Sequence, residues 1–361
     1  MKVHLFCKRY YTNKDLTRDW FGRLYHLPAQ LSRLGLEVSV TAIDYRHPRV
    51  ERHGREGVAF RTLPCTPPHL AGSLLGLNRA LRAARPDVML ASGDSHIGYL
   101  GLWLARRLDI PFGFDVYDYY PVFASNRVPG MKALFRKAVA GADLALCASR
   151  PLMERLAPLN GARLLIENGV DRQLFASMDQ CEARRRIGLN PGIPVVGYFG
   201  SIQPARGPLL IEACRRLRTQ WPTLTLLLAG PVSGVSIAEP WIRYLGQIAQ
   251  ERVPELIAAS DVVTVPYAND PFNAMSGACK IAEYLSCGKP VVATDIAGHR
   301  EIFRAAPQSL CPPDAADMAE AIRRQLVQPQ IAAFPAHLEW EAIARTLLNA
   351  LTGVVLSRSA E

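Results

Sequence analysis

Apolar positions along this chain follow two alternating rhythms. Short continuous apolar runs recur at 3–7, 37–43, 58–63, 87–91, 111–115, 142–148 and 164–167, each bounded by glycine, proline or polar residues. Runs of that length between chain breakers predict strands buried on both faces. Other stretches carry apolar residues three or four apart. Leu24, Leu27, Leu31 and Leu34 predict a helix over 20–34 that Gly35 stops, and 97–108 predicts a second. Residues 10–19 are polar and predict a loop. Asn168-Gly169 is a turn signal. Beyond it the rhythm restarts, with strands predicted at 194–199, 224–229, 242–245, 261–266 and 290–294. Helices are predicted over 208–220, 253–260 and 274–286, and a last one over 340–355.

Strands alternating with helices predict parallel sheets covered on both faces, and a restart near the midpoint of 361 residues predicts two of them. The fold class is therefore α/β, two Rossmann-like doubly wound domains. The expected boundaries are 1–168 and 169–340, with a C-terminal helix over 341–361 packing back on the first domain. Doubly wound domains bind ligands beyond the carboxyl ends of their strands, so two that face each other would hold substrates in the cleft between them.

Composition narrows the class. The chain is 49% hydrophobic without a low-complexity block, as in a folded enzyme. The formal charge of +10 is uneven: residues 1–170 hold 24 Lys and Arg against 14 Asp and Glu, whereas 171–361 hold 18 of each. A basic half can serve an anionic membrane, an acidic substrate or nucleic acid, and a solvated surface is the plainer reading. No nucleic-acid recognition motif accompanies it, so nucleic acid is not expected as a partner. The eight cysteines form no C-x-x-C and lie mostly in apolar segments, so they read as reduced core thiols. The first residues lack the apolar core of a signal peptide, and no apolar run reaches the length of a membrane span. A cytoplasmic location is expected, resting on the inner face of the cell membrane.

Three segments carry candidate chemistry. In the first, Ser276, Lys280, Glu283 and Cys287 are spaced to share one helical face. Ser276 falls near the expected helix start, where free N–H groups and the helix dipole favour an anion such as a diphosphate. Lys280 adds a charge, and Glu283 could accept hydrogen bonds from two ribose hydroxyls. The plainer alternative is a surface Lys–Glu pair worth a few tenths of a kcal/mol. In the second, a strand runs into Gly200 and a loop carrying Arg206-Gly207, which lets backbone approach a phosphate that Arg can bind. The loop lacks the Gly-Lys-Ser/Thr ending of a Walker A motif. In the third, Asp115 and Asp118 end an apolar strand, where one could act as general base toward an acceptor hydroxyl or simply cap a turn.

The run Lys280…Glu283-Tyr-Leu…Cys-Gly-Lys-Pro-Val-Val-Ala-Thr-Asp295…Gly298-His-Arg-Glu301 resembles the donor-binding signature of glycosyltransferase family 4. Asn168-Gly-Val-Asp171…Phe175 resembles that family's hinge, and Gly200…Arg206-Gly207 its diphosphate loop, with Arg where Lys is usual. Ala229-Gly230-Pro231, Leu245-Gly246 and Ala259-Ser-Asp261 follow in the family's order. The likeness is strong over 165–305 and weak over 1–165. It implies a GT-B fold and a nucleoside-diphosphate sugar as co-substrate, with no cofactor. By this likeness Glu283 binds the ribose, Arg206 and Lys280 neutralise the leaving diphosphate, and Gln247 borders the base. The acceptor, a saccharide or a lipid-linked one, falls to the first domain, with Gly22 and Asp115 on the acceptor or phosphate side and Asp118 as catalytic base. No Asp-x-Asp occurs, in keeping with a site without metal, where cations and a helix start take its place. Such an enzyme would build a surface polysaccharide or glycolipid, and the basic segment 127–137, with Met131, Leu134 and Phe135 on an apolar side, would meet an anionic membrane surface.

The chain also departs from the family. Met275 stands where a second Glu is common, and the segment resembles a Ser-x-Pro-x-Lys-x-x-Glu-Tyr subgroup with Ala278 in place of Pro. Tyr117 occupies the region of the family's His, and a Gly pair is reduced to Gly22. Two other functions fit the same architecture: a nucleotide-sugar epimerase, and a binding protein without catalysis.

Overall fold

A computed structural model describes residues 1–11, 14–277 and 279–359. Ala278 and residues 360–361 of the expected C-terminal segment lie outside them. The chain forms two units, Met1–Gly169 with Met275–Gly277 and Trp340–Glu361, and Val170–Ala274 with Ala278–Glu339.

The first unit is built on strands β1 (Lys2–Lys8), β4 (Glu37–Asp44), β5 (Arg52–Arg55), β6 (Val58–Pro64), β7 (Val88–Ser92), β8 (Phe112–Val116), β9 (Leu144–Cys147) and β10 (Arg163–Leu165), with β2 (Tyr10–Tyr11) and β3 (Lys14–Asp15) as a separate antiparallel pair. The main sheet has the order β10-β9-β8-β7-β1-β4-β6-β5, parallel except for β5 against β6. All residues of β7, β8 and β9 are buried, which is why these strands read as unbroken apolar runs. Helices α1 (Arg23–Arg33), α2 (Leu70–Ala84), α3 (Ser95–Leu108), α4 (Met131–Ala140) and α5 (Arg150–Leu156) connect the strands. Gly22 caps α1 with φ of 71°, a left-handed backbone over which the Tyr11 ring lies so closely that a Cβ would strike it.

The second unit has α6 (Gln180–Arg186), β11 (Val195–Phe199), α7 (Gly207–Leu217), β12 (Thr225–Ala229), β13 (Ile242–Tyr244), α8 (Val253–Ala259), β14 (Val262–Val265), α9 (Cys279–Ser286), β15 (Val291–Thr294), α10 (Ala297–Arg300), β16 (Leu310–Cys311) and α11 (Ala315–Val327). Its sheet is wholly parallel in the order β13-β12-β11-β14-β15-β16. The last helix, α12 (Trp340–Ser359), belongs to the first unit and packs on α1, with Trp340 stacked on His26 at 5.2 Å. Each unit has its own core. No helix of the described residues is long and apolar enough to cross a membrane.

Several elements differ from the sequence expectation: residues 10–19, read as a loop, include the pair β2 and β3, and α5, α6, α10 and α11 have no predicted counterpart. The edge strand β5 is Arg-His-Gly-Arg and carries no apolar rhythm, because it buries almost nothing. Helix α2 buries only Leu77 and Leu81, so its leucines trace no single stripe. The helix expected from 274 begins instead at Cys279, after a 3-10 turn over Asn273–Met275. The carbonyls of Met275 and Gly277 accept hydrogen bonds from Ser149 Oγ (2.7 Å) and Asn168 Nδ2 (3.3 Å), not from a following helical turn.

Candidate functional site

In the second unit the loops after β11, β12 and β13 and the segment after β14 all leave the carboxyl edge of the sheet. Gly200 follows β11, its N–H donating to Ala229 O at 2.8 Å, and Gly230 N–H donates to Gly246 O at 2.8 Å. Gln203 O accepts the N–H groups of Arg206 and Gly207, both at 2.8 Å, and this turn opens α7, with a proline in its first turn. Three successive loops are thereby tied to one another at the edge where an open α/β sheet takes its ligand.

Helix α9 is pinned against the end of β11. Tyr284 Oη accepts the Phe199 N–H at 3.1 Å, and Ser286 Oγ donates to Phe175 O at 2.8 Å. This register lays Lys280 across Gly200. A Cβ there would overlap Lys280 Cε and stand 2.9 Å from Nζ, so only glycine leaves room for the ammonium against the loop backbone. The Lys280 proton is held well above the ordinary lysine range, Tyr267 contributing most and burial opposing. Burial pushes the Glu283 carboxyl up, against the pull of Lys280.

Arg206 is held from two sides. Its guanidinium lies 4.0 Å from the Tyr267 ring centroid, and Nη2 donates to Asn273 Oδ1 at 3.2 Å. Asn273 is itself fixed, its Nδ2 donating to Ala268 O at 3.0 Å and Asp270 Oδ2 at 2.7 Å. The buried Nε of Arg206 has no protein acceptor. Tyr198 and Tyr267 lie beside both Arg206 and Lys280, so the two cations share one corner of the unit. Behind Tyr267 sits buried His299, 5.4 Å ring to ring, its Nδ1 bonded to Thr294 O at 2.8 Å and its pKa lowered to about 4 by burial.

In the first unit, Asp115 at the end of β8 is not open to an acceptor. It takes Arg23 in a fork, Nε to Oδ2 at 3.0 Å and Nη2 to Oδ1 at 2.7 Å, and also accepts from Ser92 Oγ. Both side chains are buried, and Arg23 goes on to Ile166 O at 2.9 Å and Asn168 Oδ1 at 3.1 Å. Asp115, expected on the acceptor or phosphate side, is thus engaged in a buried ion pair that ties α1 to the strand ends. Asp118 stands half-buried in the turn that follows, its carbonyl accepting the Tyr120 N–H at 3.0 Å. Buried Tyr117 meets Tyr11 edge-on at 5.0 Å. On the same strand edge Lys8 pairs with Asp94 at 2.6 Å.

Comparison with known proteins matches both halves of the chain. Residues 23–174 match Glycosyltransferase Family 4, and residues 193–328 match Glycosyl transferases group 1. The chain belongs to the group 1, family 4 glycosyltransferases. Its relatives include the D-inositol 3-phosphate glycosyltransferase of Geodermatophilus obscurus, 29% identical over 215 residues, covering 52% of this chain and 47% of that one. The GDP-mannose-dependent alpha-mannosyltransferase of Mycobacterium tuberculosis is 28% identical over 62% of this chain and 60% of that protein. The chain thus spans about half the length of the curated relatives it matches. Among solved structures, sucrose-phosphate synthase from Thermosynechococcus elongatus has a TM-score of 0.71 at 20% identity over 99% of each chain. Anabaena Alr3699/HepE in complex with UDP has a TM-score of 0.71 at 18% identity over 100% of each chain. These likenesses show the GT-B fold.

Set against that family, the donor-side expectations separate. Gly200, Arg206, Lys280 and Glu283 all lie in the second unit, the first three around one loop. Gln247 is exposed in the loop after β13. Ser276 lies before α9, in a stretch grouped with the first unit, so it does not begin the helix that carries Lys280 and Glu283. Each cation stands at a helix start, Arg206 immediately before α7 and Lys280 in the first turn of α9. Sequence reasoning missed Tyr267 and Asn273, which hold Arg206. Their only trace is a polar tail to an apolar strand, Val-Pro-Tyr267-Ala-Asn-Asp.

Proposed function

We propose that this chain transfers a sugar from a nucleoside-diphosphate sugar to a saccharide or lipid-linked acceptor, in the making of a surface polysaccharide or glycolipid. The observation that carries the reading is the pairing of Arg206 and Lys280 around Gly200, beside the start of α7. As the bond from the sugar to the diphosphate breaks, the bonding electron pair stays on the phosphate oxygen and the leaving group gains one further negative charge. Two fixed cations and a helix N-terminus, already oriented before the reaction, meet that charge without reorganising. No metal or cofactor takes part in this proposal. Glu283, in the last turn of α9, is assigned the ribose hydroxyls, and Asp118 the acceptor proton. The setting proposed is peripheral, on the cytoplasmic face of an anionic membrane.

The relatives supply the donor class: one is named as GDP-mannose-dependent, and one structure holds UDP. A melting-temperature panel with UDP, GDP, ADP and dTDP identifies the base, since a ligand bound only by the folded state raises the transition. The matching sugar nucleotide is then supplied with and without acceptor. Release of nucleoside diphosphate only with acceptor supports transfer, whereas conversion of the donor alone points to an epimerase. Glu283→Ala should raise the donor KM about 10-fold or more, the scale of a hydrogen bond to a charged group. Unchanged donor kinetics would remove Glu283 from the site.

A further inference from the structure

The excess charge of the first unit has a definite place. Helices α2, α3 and α4 lie side by side on one face of the sheet, and among their residues there is no Asp or Glu. Between α3 and α4 opens a groove of 680 Å³ lined by Tyr99, Leu102, Trp103, Arg106, Arg107 and Lys137. The three cations form no ion pair among the described residues, and Arg107 lies 5.6 Å from the Trp103 ring. The acids at the far ends of α3 and α4 are engaged elsewhere: Asp109 with Arg358 at 2.6 Å, and Asp143 with the Phe112 N–H at 2.7 Å. Trp103 is 46% exposed, and on α2 Leu75 is 60% exposed.

We propose that this groove docks on the phosphate headgroups of an anionic bilayer. It deepens the reading above, on which a lipid-linked acceptor is reached at a membrane. Unpaired guanidinium and ammonium groups with apolar stems suit a plane of phosphates above hydrocarbon, since the stems bury while the charges stay at the headgroup level. An indole beside them suits the same boundary, apolar in its rings and polar at its N–H. A soluble acidic partner would match the charges but not exposed Trp103 and Leu75 together.

The test uses the full chain and vesicles of phosphatidylcholine with or without phosphatidylglycerol. Sedimentation with the anionic vesicles only, weakening as salt is raised, is the expected result. Arg106→Ala/Arg107→Ala/Lys137→Ala should bind about a hundredfold more weakly, the scale of three basic residues at a membrane surface. Trp103→Phe should abolish most of the blue shift in tryptophan emission on binding. Equal partition of the unaltered protein into neutral vesicles, or binding by the triple variant as tight as the unaltered protein's, overturns the proposal. The nucleotide melting shift serves as the second reading and should be the same in both proteins. If that shift is absent in both while vesicle binding behaves as stated, the transferase reading fails and the docking surface stands.

Discussion

Gly200→Ala isolates the contact on which the proposed donor site turns. The new methyl group would overlap Lys280 Cε, with Nζ at 2.9 Å and Tyr198 Oη at 3.2 Å. Gly200 is not among the left-handed glycines, so alanine suits its backbone, and the overpacking against Lys280 should cost the fold about 1–3 kcal/mol. The atom in the way is the end of a flexible side chain, so the structure yields by moving the ammonium. A hydrogen bond to a charged group contributes about 1.5–3 kcal/mol, so nucleoside diphosphate affinity should fall roughly 10- to 150-fold. Calorimetric titration with the diphosphate measures this, and urea unfolding measures the stability. The decisive comparison is the cycle with Lys280→Ala. If alanine acts by displacing Lys280, the double variant binds about as weakly as Lys280→Ala alone. Two effects that simply add, or a Gly200→Ala protein that binds as tightly as the parent, would refute the reasoning.

Tyr284→Phe strands the buried Phe199 N–H and should lower unfolding free energy by about 1–3 kcal/mol in urea titrations. Asp115→Asn leaves Arg23 buried without its counter-charge, and a loss of about 3–5 kcal/mol by the same measurement is expected. His4 and His299 are both buried with pKa values lowered to about 4. Their unfolded forms bind protons first, so stability present above pH 6.5 should drain away as pH falls toward 4. His299→Gln should flatten that stretch of the melting-temperature curve, by on the order of 3 kcal/mol at the acid end.

The donor half was more legible than the acceptor half because its chemistry is local in sequence. Lys280 and Glu283 lie within one helix, and Arg206 six residues beyond Gly200, so each falls inside a short motif that resembles a family signature. Tyr267 and Asn273 escaped because they act through Arg206, some sixty residues earlier, and nothing in their own neighbourhood shows it. Asp115 misled for the opposite reason. A carboxylate at a strand end reads as facing an acceptor, yet its partner Arg23 lies 92 residues away. Ser276 misled because helical spacing extends past the point where the helix can begin.

By itself the sequence determined the alternating α/β plan, the two sheets and the donor signature, since periodicity and local spacing follow from how a strand or helix projects its side chains. Only the tertiary structure decided which charges meet a counter-charge inside the fold and which do not. Arg23 and Arg206 are chemically identical, but one meets a buried carboxylate and the other keeps a buried Nε without an acceptor. That difference depends on pairings between distant segments, and the energy of a charge depends on the partner and solvent it finally meets.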